Sequence, residues 1–160
     1  MKKNLIVKYV AQKLAKTSEA AAEMKRVFGN ETYLEIIRTN LISDLPPEFR
    51  AEIESMLKKR FGIKPHKCAF MAPTVEQWIA DLTGLFSEED VYNVFAQSSG
   101  LAPEKFHNAK YGDNLIDRFF LEDIVEMLEA STGRRLTDVG YLTYNDGYTY
   151  AQIAKFFTTV

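Results

Sequence analysis

The stretch from Asp113 to Leu136 constrains this chain more than any other. Ile116, Phe119, Phe120, Ile124, Met127 and Leu128 recur along it at helical spacing, while Asp117, Glu122, Asp123, Glu126 and Glu129 fill the other side. That periodicity predicts a helix with an apolar back and an acidic front. Gly133 ends it by supplying a residue that tolerates the left-handed conformation. An isolated helix of this kind is marginal in water, so the rest of the chain must cover the apolar stripe. The acidic front, preceded by a loop, predicts a surface offered to a basic partner.

The remaining segments read as covering helices. Leu5, Ile6, Tyr9, Val10 and Leu14 predict a first helix of about four turns. Thr17 and Ser18 can cap a second over Glu19 to Phe28, closed by Gly29. Asn30 is placed to cap a third, carrying Tyr33, Leu34, Ile36, Ile37 and Leu41. Ser43-Asp44-Leu45-Pro46-Pro47 opens a fourth, because proline suits a first turn whose N–H has no partner. Phe49, Ile53, Met56 and Leu57 form its stripe, and Phe61-Gly62 ends it. Thr74 with Gln77, and Ser87 with Asp90, are capping pairs for two further helices. The first of these buries Val75, Trp78, Ile79 and Leu82, and the second Val91, Val94 and Phe95.

Near the end, tyrosines flank Asn145-Asp146-Gly147, a hairpin signal because Asp-Gly tolerates positive φ. The competing reading is a short last helix capped by Thr149 and Gln152, with Ile153, Phe156 and Phe157 inward. The helix is preferred. The expected fold is therefore all-α: a bundle of about seven helices, with residues 1–86 and 87–160 as two halves of one compact unit.

Composition sets limits on function. A formal charge of −2 gives no global case for nucleic acid or an anionic membrane. Cys68 is the only cysteine, so no internal disulfide can form and a reducing, cytoplasmic setting is expected. No apolar run is long enough for a membrane span.

Catalytic and metal signatures are incomplete. His66 and Cys68 lie two apart in a loop and His107 lies in another, too few ligands for a zinc site without carboxylates. A thiol activated by His66 is a second reading of the same pair. Glycines stand singly at helix ends rather than in a phosphate cradle. Tyr141, Tyr144, Tyr148 and Tyr150 form an aromatic cluster suited to a protein-binding patch. No cofactor or metal is expected.

One order of features occurs twice: an acid-led amphipathic helix, a glycine, a polar loop, then Thr-x-x-Gln and a short apolar helix. It runs from Asp44 through Gly62 to Leu82, and again from Asp117 through Gly133 to Phe157. A true duplication would imply two related sub-bundles.

The second half, about Ser87 to Phe157, resembles an acyl carrier protein domain, a four-helix bundle of similar length. Glu88–Gly100 stands for its first helix, Lys105–Asn114 for its long loop, Asp117–Ala130 for its acidic second helix and Thr149–Phe157 for its last. The resemblance implies two carrier-like four-helix sub-bundles on one core, and an acidic helix that docks on partner enzymes. It departs from the family at the chemistry. Carrier proteins hold phosphopantetheine on the serine of Asp-Ser-Leu, whereas this chain has Asp117-Arg118-Phe119 or, on another alignment, Asp113-Asn114-Leu115. Ser43 precedes Asp44-Leu45 in the wrong order.

These readings converge on a non-catalytic interaction module. Glu122, Asp123, Glu126 and Glu129 would steer a protein partner with a basic surface, Asp117, Arg118 and Phe119 would sit where a prosthetic arm otherwise emerges, and Tyr144 and Tyr148 would extend the patch. The alternatives are a carrier modified on a serine, Ser43, and a small thiol enzyme using Cys68.

Overall fold

Among the described residues of the computed structural model, 3–17, 26, 29, 32–63, 68–110, 112–136 and 147–160, there are eight α-helices and no strand. The all-α expectation holds. The second helix expected over 19–28, the Asn30 cap, His66, Tyr141, Tyr144 and the Asn145-Asp146 turn lie outside the described residues. The chain divides into two compact units, Met1–Pro65 with Ala72–Leu82, and His66–Met71 with Thr83–Val160.

The first unit begins with α1, Lys3–Thr17. Ile6, Val7, Val10, Ala11 and Leu14 are its buried stripe, whereas Leu5 is 59% exposed, contrary to expectation. The stripe is Ile6, Val10 and Leu14 with Val7 and Ala11 beside the first two, and that phase turns Leu5 outward. Helix α2, Tyr33–Thr39, starts from a Thr32–Glu35 capping box, so the third helix begins later than expected. Thr32 Oγ1 accepts from the Glu35 N–H and a Glu35 carboxylate oxygen accepts from the Thr32 N–H, satisfying two otherwise orphaned donors. Leu41 falls beyond this helix and is exposed.

A 3-10 turn, Ile42–Asp44, then leads into α3, Pro47–Phe61. Its proline sits in the first turn and Gly62 closes it at φ 66°, ψ 27°, as the sequence predicts. Phe49, Ile53 and Leu57 are buried and Met56 is half-buried. The Ile42 N–H donates to the Pro73 carbonyl at 2.9 Å, which ties the turn to the start of α4, Val75–Thr83. The Thr74–Gln77 pair caps α4 as expected, and Val75, Trp78, Ile79 and Leu82 are buried.

The second unit carries α5, Glu88–Ser99; α6, Pro103–His107; α7, Arg118–Thr132; and α8, Tyr150–Phe156. Both expected boxes, Ser87–Asp90 and Thr149–Gln152, are formed. The helical reading of the chain end is therefore the correct one over residues 150–156. Phe95, Phe106 and Tyr150 meet with ring centroids 5.1–5.5 Å apart, and they anchor α5, α6 and α8 in a common core. The chain end returns to the segment after Gly84, where Thr159 Oγ1 accepts from the Phe86 N–H at 2.7 Å and donates to the Gly84 carbonyl.

Among the described helices with printed bounds, each unit has a long helix, a short one, a helix of 15 residues, and a short helix opened by Thr-x-x-Gln, and in the first unit Arg26 is also helical between the first two. The residues that lead into the 15-residue helices, Pro46 and Asp117, have the same backbone angles, φ −54° and ψ 139°. Both of those helices stop at a left-handed glycine, Gly62 and Gly133.

Candidate functional site

Helix α7 is built around a stripe different from the one its sequence suggests. Leu121, Ile124, Val125 and Leu128 are buried, which is an i, i+3, i+4, i+7 set. Phe119 is 74% exposed and Phe120 is 45% exposed, so neither belongs to the apolar back. Three apolar residues in succession, Phe119, Phe120 and Leu121, leave the helix phase undetermined at its start, and tertiary packing selects Leu121. The result is a pair of large aromatic rings facing water on the first turn.

The expected partner-binding residues take up distinct positions around these rings. Asp117 is the N-cap, its Oδ1 accepting from the Phe119 N–H at 3.0 Å. Its carboxylate is spent on the helix end, where such a cap is worth about 1 kcal/mol. Arg118 pairs with Glu122 one turn on, Nε to Oε1 at 3.4 Å. Asp123 and Glu126 are exposed and, with Met127 and Ala130, line a shallow hollow of about 260 Å³. Glu129 turns away from this group in function, because its Oε2 accepts from the Leu136 N–H at 2.8 Å and so secures the chain after Gly133. The acidic edge beside the rings is thus Glu122, Asp123 and Glu126.

Two members of the expected tyrosine cluster, Tyr148 and Tyr150, lie within the described residues. Tyr150 is fully buried, and Tyr148 is half-buried against the core of the second unit. Tyr144 lies outside the described residues. The Tyr150 hydroxyl accepts from the N–H groups of Leu115 and Ile116, both at 3.0 Å, and holds the loop that leads into α7. Sequence gave no signal for this, since it joins positions more than thirty apart.

A second cluster also escaped the sequence. His107 on α6 stacks on Tyr92 of α5 with ring centroids 3.8 Å apart, and its Nε2 lies 3.2 Å from Glu89 Oε2. Burial, and then the carboxylate of Glu88, push the Tyr92 hydroxyl up to about 12. A phenol held protonated in this way is a poor base at neutral pH, and the cluster serves to clamp α6 onto α5.

The remaining candidates are scattered. Cys68 is half-buried and packs against the apolar core of the second unit. Ser43 is exposed in the 3-10 turn, four positions before α3 begins. No group of three or more His, Cys, Asp and Glu side chains that could hold a metal occurs among the described residues. No helix among them is long and apolar enough to cross a membrane. No family model, curated protein or solved structure matches the chain.

Proposed function

We propose that this chain is a non-catalytic interaction module whose docking element is the first three turns of α7. The observation that carries the reading is Phe119, 74% exposed, beside Phe120 and next to Glu122, Asp123 and Glu126. Two adjacent exposed aromatic rings are costly in water and are the residue type that dominates protein–protein binding energy. The acids at their side favour a partner with a basic surface and repel nucleic-acid phosphates. Asp117 and Glu129 shape the element rather than touch the partner.

The shared element order of the two units supports a carrier-like fold that works without a prosthetic arm. In carrier proteins the arm-bearing serine follows the N-terminal aspartate of the second helix. Here Arg118 follows Asp117, and Pro47 follows Pro46. Neither side chain has a hydroxyl to form the phosphodiester. What remains of the carrier design is the docking helix.

The test is to isolate the wild-type chain from its native host beside a Phe119→Ser/Phe120→Ser variant, measuring intact mass and the proteins retained by each. The expected result is an unmodified chain with a stoichiometric partner that the variant loses. A covalent arm, or a partner retained equally by the variant, would overturn the reading.

A further inference from the structure

The second unit is completed by a segment that lies outside its main run of sequence. Residues 68–71 fall between α3 and α4, yet they belong to the second unit with Thr83–Val160. Ala69 is 1% exposed and Phe70 3%, and both join the apolar core of that unit. Cys68 packs against the same core, whereas Met71 is exposed and marks where the segment leaves it. From Ala72 the chain belongs to the first unit again. The segment is therefore a strap, a short excursion whose one large buried anchor is Phe70.

That anchor meets Phe86, on which other segments converge. The Phe70 and Phe86 rings stack almost parallel, with centroids 5.9 Å apart and planes 4° apart. The Phe86 backbone holds the chain end: its N–H donates to Thr159 Oγ1 at 2.7 Å, and its carbonyl accepts from the N–H groups of Thr159 and Val160 at 2.8 and 3.2 Å. Thr159 Oγ1 in turn donates to the Gly84 carbonyl at 2.6 Å. Residues 84–86 and 159–160 thus secure each other by hydrogen bonds outside any helix, and the one aromatic ring among them is packed by the strap.

We propose that residues 68–71 are a conformational latch on the second unit. With Phe70 seated, residues 84–86 and the chain end are closed; with Phe70 withdrawn, both open together while α7 stays folded. Phe86 makes them move as one, because the same residue stacks on the strap and bonds to Thr159. Withdrawing Phe70 bares the stacked face of the Phe86 ring to water, and burial of that apolar area is what keeps the segment closed. Opening releases one anchor and a few hydrogen bonds and melts no helix, so it costs less than global unfolding. The latch does not depend on what α7 docks.

Native-state amide hydrogen exchange on the full chain tests this. In the wild type the Phe86 and Thr159 amides are expected to open with a common free energy, and faster than Val125 and Leu128 inside α7. Phe70→Ala should accelerate both by the same factor, about tenfold or more, since truncating a buried phenylalanine removes packing worth at least that. Phe70→Leu keeps an apolar plug and should accelerate both by less, which preserves the test if the alanine variant does not fold. Wild-type Phe86 and Thr159 amides that exchange as slowly as Val125 and Leu128 would mean that no separate opening exists. Rates at Phe86 and Thr159 that respond unequally, or not at all, to the Phe70 substitutions would equally overturn the latch.

Discussion

The hydroxyl of Tyr150, at the start of the last helix, accepts a hydrogen bond from the backbone N–H of Ile116 at 3.0 Å. It accepts a second from Leu115, so one buried phenol satisfies two donors in the loop before α7. Tyr150→Phe keeps the ring packing and strands those donors. Leaving buried N–H groups unmade costs about 1–3 kcal/mol. Urea unfolding should show a loss of that size, and hydrogen exchange should accelerate at Leu115 and Ile116 before the rest of the unit. Unchanged stability would mean that water replaces the phenol.

Tyr92 predicts a pH dependence. Its hydroxyl is raised from 10.0 to about 12 by burial first and by Glu88 second. Because the folded state holds this proton more tightly than the unfolded chain, its contribution is complete below pH 10 and is lost as pH rises toward 12. Stability should fall across that window with a limiting slope of about 1.4 kcal/mol per pH unit for this group. Tyr92→Phe should flatten the slope and remove one late-ionising phenol from a near-ultraviolet titration.

Two glycines with similar φ should respond differently to alanine. Gly84 (φ 69°) lies against the backbone of Ser131, and an added Cβ would collide with the Ser131 carbonyl oxygen. Gly133 (φ 75°) faces open space. Gly133→Ala should cost about 1–2 kcal/mol from the left-handed backbone alone. Gly84→Ala should cost about 1–3 kcal/mol more, since the clash is with backbone that cannot rotate away. Equal losses in thermal unfolding would refute the packing argument.

What the sequence revealed was local. Thr74–Gln77, Ser87–Asp90 and Thr149–Gln152 are read within four residues, because the bonds they make lie within four residues. Gly62 and Gly133 are legible for the same reason. The Thr32–Glu35 box is equally local, but on sequence alone Asn30, a good cap residue two positions earlier, competes with it. What the sequence hid was the choice among equivalent faces. Phe119, Phe120 and Leu121 are all apolar, and only packing against the core of the second unit decides which of them is inside. The burial of Tyr150 and the His107–Tyr92 stack depend on segments that meet only after folding. The candidate site is thus half legible: its acids follow from the helical pattern, whereas the face its rings take does not.

The carrier resemblance makes a prediction of its own at Arg118. This residue occupies the first position of α7, directly after the Asp117 cap, and its side chain is about half exposed, 46%. Arg118→Ser would place a hydroxyl where carrier proteins bear theirs, at the cost of one exposed ion pair with Glu122 worth a few tenths of a kcal/mol. Incubation with coenzyme A and a phosphopantetheinyl transferase should leave the wild-type mass unchanged. The serine oxygen of the variant should attack the β-phosphorus of coenzyme A, release adenosine 3′,5′-bisphosphate and retain the arm, with intact mass as the readout. A variant that stays unmodified would limit the resemblance to helix order. A wild-type chain that gains mass at Ser43 would establish the opposite, a working carrier whose acceptor lies in the turn before α3 and not at the start of α7.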